Sequence, residues 1–170
     1  PLTMNQANHS QSEGLLERIF MLRSLKATQQ LAQSVASISI PGDVIKLKGP
    51  IGVGKTVFAR AILRSLGCQE EIPSPTFTLV QTYQLSNLTV WHFDLFRLKH
   101  PDEIYELGLE EATLNGLTLI EWPERIAFFS PKHHAEITFS FDPHGDRIAT
   151  LKGYGNWNRR LIEHNLEENV

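Results

Sequence analysis

The sequence feature that most constrains the fold is an eight-residue loop at residues 49–56, GPIGVGKT. It matches G-x-x-x-x-G-K-[ST], the pattern of the phosphate-binding P-loop, at every fixed position. A short apolar-rich run at 44–48 precedes it, and residues 57–66 follow with helical spacing before Gly67. A strand, a glycine-rich loop and a helix in this order form the context in which the pattern binds phosphate. The chain is therefore predicted to bind a nucleoside triphosphate.

The residue types of the loop explain how phosphate would be held. Glycines let backbone N–H groups curl around phosphate oxygens, and the start of a helix adds partial positive charge. Lys55 is expected to reach the outer phosphates, and the Thr56 hydroxyl is expected to ligate Mg²⁺. The nucleotide-binding residues predicted in this segment are Gly49, Ile51, Gly52, Val53, Gly54, Lys55, Thr56 and Val57.

The composition is that of an ordinary globular domain. The 170 residues are 41% hydrophobic and 21% charged, with a net charge of −3, so we expect one domain with a full hydrophobic core. The charge gives no attraction to DNA or to anionic membranes, and no apolar run is long enough to span a membrane. Cys68, the single cysteine, excludes an internal disulfide and is compatible with a reducing cytoplasm, where we expect the protein.

Short apolar runs separated by turn residues predict the remaining elements. Strands are predicted at 18–22, 44–48, 76–83, 88–94, 117–120, 137–141 and 147–151. Helices are predicted after an N-cap at Ser24, after the P-loop, at 101–107, around 124–129, and from Trp157 onwards at the surface. This indicates an α/β protein with the three-layer fold of P-loop NTPases, in which antiparallel hairpins extend a mainly parallel central sheet.

The same pattern divides the chain into three parts. The P-loop domain is expected to span residues 18–152. A polar, flexible lead-in is expected over residues 1–17, and a helical C-terminal tail over residues 153–170.

Two acidic residues are candidates for the chemistry beyond the loop. A P-loop enzyme needs an acid at the end of a buried strand to hold Mg²⁺, directly or through water. Glu121 follows the core-type strand 117–120, so it is predicted to be a metal ligand with Thr56 and a catalytic residue. A surface carboxylate at a strand end is the alternative. Asp94 shares one face of its strand with His92.

That shared face indicates a wet cleft, because the rest of the strand is apolar, and it makes Asp94 a catalytic candidate. The alternative is a His92–Asp94 pair in which each residue satisfies the other. Thr76, in a proline-containing loop, is a third catalytic candidate, a switch threonine that senses Mg²⁺ or the terminal phosphate. An ordinary threonine at the start of a strand fits the residues equally well.

Other motifs carry less information. Residues 142–145 match the D-x-x-G switch of GTPases but lie in a hairpin turn, and no N-K-x-D for guanine is present. Trp122 adjoins the proposed metal ligand and is included among the nucleotide-site residues. Three histidines make a poor metal site because adjacent side chains point apart: His133, His134 and His144. Three arginines fit either a phosphate contact or a solvated face: Arg97, Arg125 and Arg147.

Taken together, the motifs resemble the TsaE (YjeE) family of small bacterial P-loop ATPases for tRNA threonylcarbamoyladenosine synthesis. The resemblance covers about residues 18 to 152. The matching segments, in the family's order, are the P-loop 49–56, 74–80 (SPTFTLV), 92–98 (HFDLFRL), 101–109 (PDEIYELGL) and 119–124 (LIEWPE). The family usually has Tyr at the position of Phe96, and Asp-Leu at the position of Pro50-Ile51.

The resemblance implies a protein that binds ATP with Mg²⁺ and hydrolyses it slowly when alone. In the family it joins TsaD and TsaB, which transfer threonylcarbamoyl to the adenosine next to the anticodon, so contact with tRNA would run through the complex. The resemblance also implies that Thr28 lies near the adenine, and it makes Asp142 a second candidate for the same pocket.

Two other functions stay open at the level of sequence. A small-molecule kinase would use the same loop, although no arginine-dense lid insertion is present. A non-hydrolysing switch would bind a partner in only one nucleotide state.

Overall fold

Between residues 17 and 166, the part of the chain that the computed structural model describes, seven strands form one mixed sheet. They are β1 (Glu17–Leu22), β2 (Val44–Lys48), β3 (Val80–Gln84), β4 (Thr89–Asp94), β5 (Leu117–Glu121), β6 (His134–Phe141) and β7 (Arg147–Tyr154). Their spatial order is β1-β7-β6-β2-β5-β4-β3. The central strands β6, β2, β5 and β4 are parallel, and β3, β7 and β1 are antiparallel to their neighbours. The predicted sheet and both of its hairpins are confirmed.

Helices cover both faces of this sheet. They are α1 (Leu25–Ile38), α2 (Lys55–Ser65), α3 (Glu103–Glu106), α4 (Leu109–Asn115), α5 (Asn156–Glu163) and a 3₁₀ turn (Pro123–Ile126). Helices α1, α2 and α5 share one hydrophobic core with Ile45 and Leu47 of β2. On the opposite face, Val44 packs in a second core with α3, α4 and the 3₁₀ turn. Side chains alternate along β2, so one strand supplies both cores and the predicted three layers follow.

The helix ends follow from local sequence. The Ser24 hydroxyl accepts a hydrogen bond from the Ala27 N–H at 3.1 Å, which confirms the predicted cap of α1. The apolar positions of α1 repeat at helical spacing and are buried, including Leu31, Ala32 and Val35. Gly67 follows α2 with a φ of +98°, a left-handed conformation that glycine adopts without steric cost.

The segment before β3 differs from its prediction. A strand was expected over 76–83, but β3 begins at Val80 and the four preceding residues form turns. The Leu79 N–H donates to the Pro75 carbonyl at 2.7 Å, and Leu79 has a φ of +67°. This hydrogen-bonded turn takes the place of strand pairing. It keeps Thr76 in a loop at the end of the sheet.

Two helical regions also differ from expectation. The helix expected at 101–107 is shorter, and Gly108, with a φ of +95°, then begins the unpredicted helix α4. The tail forms a helix at the surface over Asn156–Glu163, but one face of this helix is buried. Trp157 is fully buried, and Arg160 donates hydrogen bonds to both carboxylate oxygens of Asp43. Helix α5 therefore packs into the domain core.

Two parts of the sequence-based prediction fall outside the described residues. They are the lead-in over residues 1–17, apart from Glu17, and the last four residues of the tail, 167–170. Across residues 17–166, no helix combines the length and apolar character needed to cross a bilayer.

Candidate nucleotide-binding and catalytic site

The P-loop connects β2 to α2 at the carboxyl end of the parallel strands. Gly49, with a φ of +141°, tolerates no side chain, because a Cβ there would lie 2.7 Å from the Phe139 carbonyl oxygen. Gly54 is the N-cap of α2, with a φ of +110°. The loop therefore needs glycine at both fixed ends of its curve, and its backbone N–H groups sit at a helix N-terminus, the arrangement that suits phosphate.

Lys55, the first residue of α2, lies inside the curve of the loop and is only 5% exposed. Its ammonium donates hydrogen bonds to the carbonyl oxygens of Gly49 and Pro50, the second at 3.1 Å. The ammonium also lies 3.9 Å from the centre of the Trp122 ring. Loss of hydration lowers the pKa of Lys55, and nearby carboxylates, first of all Glu121, oppose that shift. These contacts hold the ammonium at the carboxyl end of the sheet.

Glu121 ends β5 directly beside the loop. The strand register pairs Glu121 with Leu47 of β2 on one side and with Asp94 of β4 on the other. The carboxylate is 2% exposed, and its Oε1 accepts a hydrogen bond from the Thr56 hydroxyl at 2.7 Å. Its Oε2 lies 2.6 Å from His92 Nε2. One carboxylate thus joins the start of α2 to the neighbouring strand β4.

Asp94, the last residue of β4, has both of its carboxylate oxygens occupied. Oδ2 accepts from the Thr76 hydroxyl at 3.1 Å, and Oδ1 accepts from the Phe96 N–H at 3.1 Å. The Thr76 and Ser74 hydroxyl oxygens are 2.7 Å apart. Because the Leu79 carbonyl accepts from the Asp94 N–H at 2.9 Å, the loop that carries Thr76 is tied directly to the end of β4.

These side chains surround one cavity of about 340 Å³. Two aromatic side chains, Phe96 and Trp122, meet at its wall with ring centres 5.0 Å apart. At the rim, Arg97 stacks on the ring of Phe77 at 4.4 Å, and that ring is 80% exposed. The lining residues are Ile51, Gly52, Lys55, Thr56, Thr76, Asp94, Phe96, Arg97, Glu121 and Trp122. The structure therefore brings together all three predicted catalytic residues and both predicted metal ligands.

Other predicted site residues lie away from this cavity. Val57 lines a larger groove of about 540 Å³ between α1 and α2 whose walls carry no carboxylate. The Thr28 hydroxyl donates to the Ser24 carbonyl at 3.4 Å within α1. The Asp142 carboxylate accepts from the backbone N–H groups of His144 and Asp146 at the β6–β7 turn. The three predicted catalytic residues therefore line the cavity next to the P-loop and not the larger groove.

His92 was predicted to face a wet cleft, and this was wrong. The imidazole is fully buried, and its partner is Glu121 rather than Asp94. Strand periodicity gave the correct face, but the partner depended on which strand lies beside β4. From the sequence, Arg147 fitted either a phosphate contact or a solvated face. In the structure its guanidinium packs against Gly54, with Nη1 3.5 Å from the position that a Cβ would take there.

The donor set fits a magnesium ion held together with a nucleotide. Mg²⁺ prefers oxygen ligands and usually takes one or two from the protein, with water and phosphate oxygens completing its shell. The Thr56 hydroxyl and the Glu121 carboxylate, 2.7 Å apart, supply oxygen atoms of this kind. Among residues 17–166, no group of three or more His, Cys, Asp or Glu side chains forms a separate metal site.

Comparison with known proteins identifies the family. The model of the family "Threonylcarbamoyl adenosine biosynthesis protein TsaE" matches residues 22–149. The chain belongs to the TsaE family. It thus has a role in tRNA threonylcarbamoyladenosine biosynthesis, and the resemblance found in the sequence is confirmed.

Individual relatives agree with this assignment. The TsaE protein of Rickettsia conorii is 50% identical over 131 residues, 76% of this chain and 75% of that protein. The TsaE protein of Bacillus subtilis is 33% identical over 137 residues, 80% of this chain and 85% of that protein. The crystal structure of Bacillus subtilis YdiB is similar with a TM-score of 0.73 and 26% identity, and it covers 89% of this chain and 95% of that one. The TsaE-family fold thus extends over most of the chain.

Proposed function

We propose that this TsaE-family chain binds ATP with Mg²⁺ and hydrolyses it, slowly when alone and faster with its partners. The observation that carries the proposal is the hydrogen bond between Thr56 and Glu121, which joins the phosphate-binding loop to an acid at the end of a buried strand. A P-loop used only as a structural turn would not need this acid. A hydrolase needs it to complete the oxygen ligands beside the phosphates.

The first step assigned to the chain is binding of the phosphates. Backbone N–H groups of the P-loop donate to phosphate oxygens, and the Lys55 ammonium exchanges its present carbonyl acceptors for the outer phosphates. The exchange replaces neutral carbonyl acceptors by anionic phosphate oxygens, so that both the donor and the acceptor of each hydrogen bond are charged. The nearby Trp122 ring is well placed to keep the ammonium in the cavity while its acceptors change.

The second step is attack by water on the terminal phosphate. Mg²⁺ held by Thr56 and Glu121 would offset the negative charge of the phosphate oxygens. Asp94 holds the attacking water with a free lone pair and accepts its proton as the new bond to phosphorus forms and the bond to ADP breaks. Thr76, hydrogen-bonded to Asp94, orients that carboxylate and responds to the terminal phosphate.

The partners proposed for this activity are TsaD and TsaB, with tRNA reached through that complex in the cytoplasm. Arg97, which lines the cavity, is stacked on Phe77 at 4.4 Å at the rim. An arginine supplied in trans can raise the rate of phosphoryl transfer by about a thousandfold or more. Stimulation by a partner is therefore a physically reasonable way to accelerate a slow hydrolase.

Reconstituted tRNA modification tests the proposal. The full chain is mixed with TsaD, TsaB, tRNA, ATP, Mg²⁺ and a threonylcarbamoyl donor, and both phosphate release and modified tRNA are measured. We expect phosphate release to rise with the partners and several rounds of modification per TsaD, and both should be lost with Lys55→Ala. Repeated rounds without phosphate release would favour a switch, and phosphoryl transfer to a metabolite would favour a kinase.

A further inference from the structure

The buried contact between His92 and Glu121 has no role in the mechanism above. His92 lies on β4, its imidazole is 0% exposed, and Nε2 is 2.6 Å from Glu121 Oε2. Its other nitrogen, Nδ1, is buried and has no hydrogen-bond partner within residues 17–166. A buried polar atom without a partner lowers the stability of the fold, so an apolar residue would suit a purely structural position better.

The short distance and the burial of both ring nitrogens favour hydrogen on Nε2 rather than on Nδ1. With hydrogen on Nδ1, the lone pair of Nε2 would face a carboxylate lone pair at 2.6 Å, and the N–H would be buried without an acceptor. With hydrogen on Nε2, the ring donates to Glu121 and only a lone pair stays unpartnered. The contact is therefore an Nε2–H donor hydrogen-bonded to the carboxylate.

This hydrogen bond divides the two oxygens of Glu121 between two tasks. Oε2 is occupied by His92, and Oε1 faces the Thr56 hydroxyl at 2.7 Å. Without the donor, Oε2 would be buried and unsatisfied, so the carboxylate would rotate or withdraw from its place beside Thr56. Side chains that hold metal ligands in this way affect metal affinity by about 10- to 100-fold.

We infer that His92 is a positioning residue that holds Glu121 in the orientation needed for the divalent cation of the nucleotide site. The inference rests on the proposed function, because it concerns the cation bound with the nucleotide. It adds a residue that does not line the cavity, and it assigns that residue a role: the imidazole orients the Glu121 carboxylate through a single N–H donor.

Two amide variants separate positioning from packing. The amide nitrogen of glutamine is as many bonds from the backbone as His Nε2, whereas that of asparagine corresponds to His Nδ1. His92→Gln therefore keeps a donor directed at Glu121, and His92→Asn carries the same chemical group but cannot reach it. His92→Leu removes the donor and keeps an apolar filling for the core.

The measurement is Mn²⁺ binding to the full chain with ADP, followed by electron paramagnetic resonance. We expect His92→Asn and His92→Leu to raise the Kd for Mn²⁺ by about 10- to 100-fold, and His92→Gln to stay within about threefold of the wild type. Affinity for ADP without metal should be equal in all four proteins. Equal Mn²⁺ affinity in the Gln and Asn variants would overturn the inference.

Folding and the proposed function are controlled separately. Thermal melts check that each variant folds, and if His92→Leu does not, the Gln and Asn pair still decides. Nitrogen-15 NMR of the histidine ring should show hydrogen on Nε2 in the wild type, and hydrogen on Nδ1 would contradict the inference. Failure of the wild type to bind ADP or Mn²⁺ would overturn the proposed function instead, and the inference with it.

Discussion

The two halves of the candidate site are built differently. The phosphate half is one continuous segment, residues 49–56, and its shape depends on backbone conformation and glycine. The acidic half is assembled from three separate segments that carry Thr76, Asp94 and Glu121. Its shape depends on side-chain hydrogen bonds such as that between Thr76 and Asp94.

The difference implies a division of labour. A loop of backbone donors binds any phosphate chain that reaches it, so the phosphate half should control affinity. In the acidic half, carboxylates lie 2.7 to 3.1 Å from hydroxyl groups. Their negative charges act while bonds to phosphorus form and break, so the acidic half should control turnover. Each variant below breaks one half and leaves the other in place.

The largest effect is expected from Lys55→Ala in the phosphate half. Removing one member of a buried charged contact costs about 2 to 5 kcal/mol, which corresponds to an increase in Kd for ATP of about 30- to 4,000-fold. Calorimetry measures the affinity. Lys48→Ala is the matched control. Lys48 is the last residue of β2, directly before the loop, and its ammonium pairs with Glu136 at 3.7 Å. ATP affinity equal to wild type in the Lys55 variant would reject the division of labour.

In the acidic half, Glu121→Gln should leave ATP affinity within a few-fold of the wild type and reduce hydrolysis about a hundredfold or more. The amide keeps the shape of the side chain but removes the charge that holds the cation, a contribution of several kcal/mol to the transition state. Phosphate release at saturating ATP gives the rate. Turnover unchanged from the wild type would show that this acid is structural.

Asp94→Asn is expected to lower turnover by about 10- to 100-fold with affinity retained. The amide oxygen can still accept from the Phe96 N–H, and the amide nitrogen can meet the Thr76 hydroxyl, so the loop keeps its anchor. What is lost is the base that receives the proton of the attacking water. A wild-type rate in this variant would remove Asp94 from the mechanism.

Thr76→Val should have the smallest effect, about five- to tenfold on turnover. The substitution keeps the shape of the side chain and removes one hydrogen bond to Asp94, which is worth about 1 kcal/mol. Comparing kcat with KM separates the two halves here, because only kcat should fall. A rise in KM alone would assign Thr76 to the phosphate half.

Much of the fold was predictable because its signals are local. A few consecutive residues were enough to recognise the P-loop, the helix cap at Ser24 and the strand before Glu121. The strand expected at Thr76 was wrong, since the hydrogen bond from Leu79 to Pro75 replaces strand pairing there. Helix α4 was missed because Gly108 was interpreted only as the end of the preceding helix. In the structure it is also the N-cap of α4.

The sequence by itself determined the phosphate-binding loop, because eight consecutive residues carry both its backbone freedom and its charge. It also identified Glu121 and Asp94 as acids at strand ends. Only the tertiary structure decided that these strands are neighbours, with Asp94 in register with Glu121. It likewise decided that His92 contacts Glu121 rather than Asp94. Strand order depends on contacts between segments far apart in the chain, and alternation along a single strand carries no information about its neighbour.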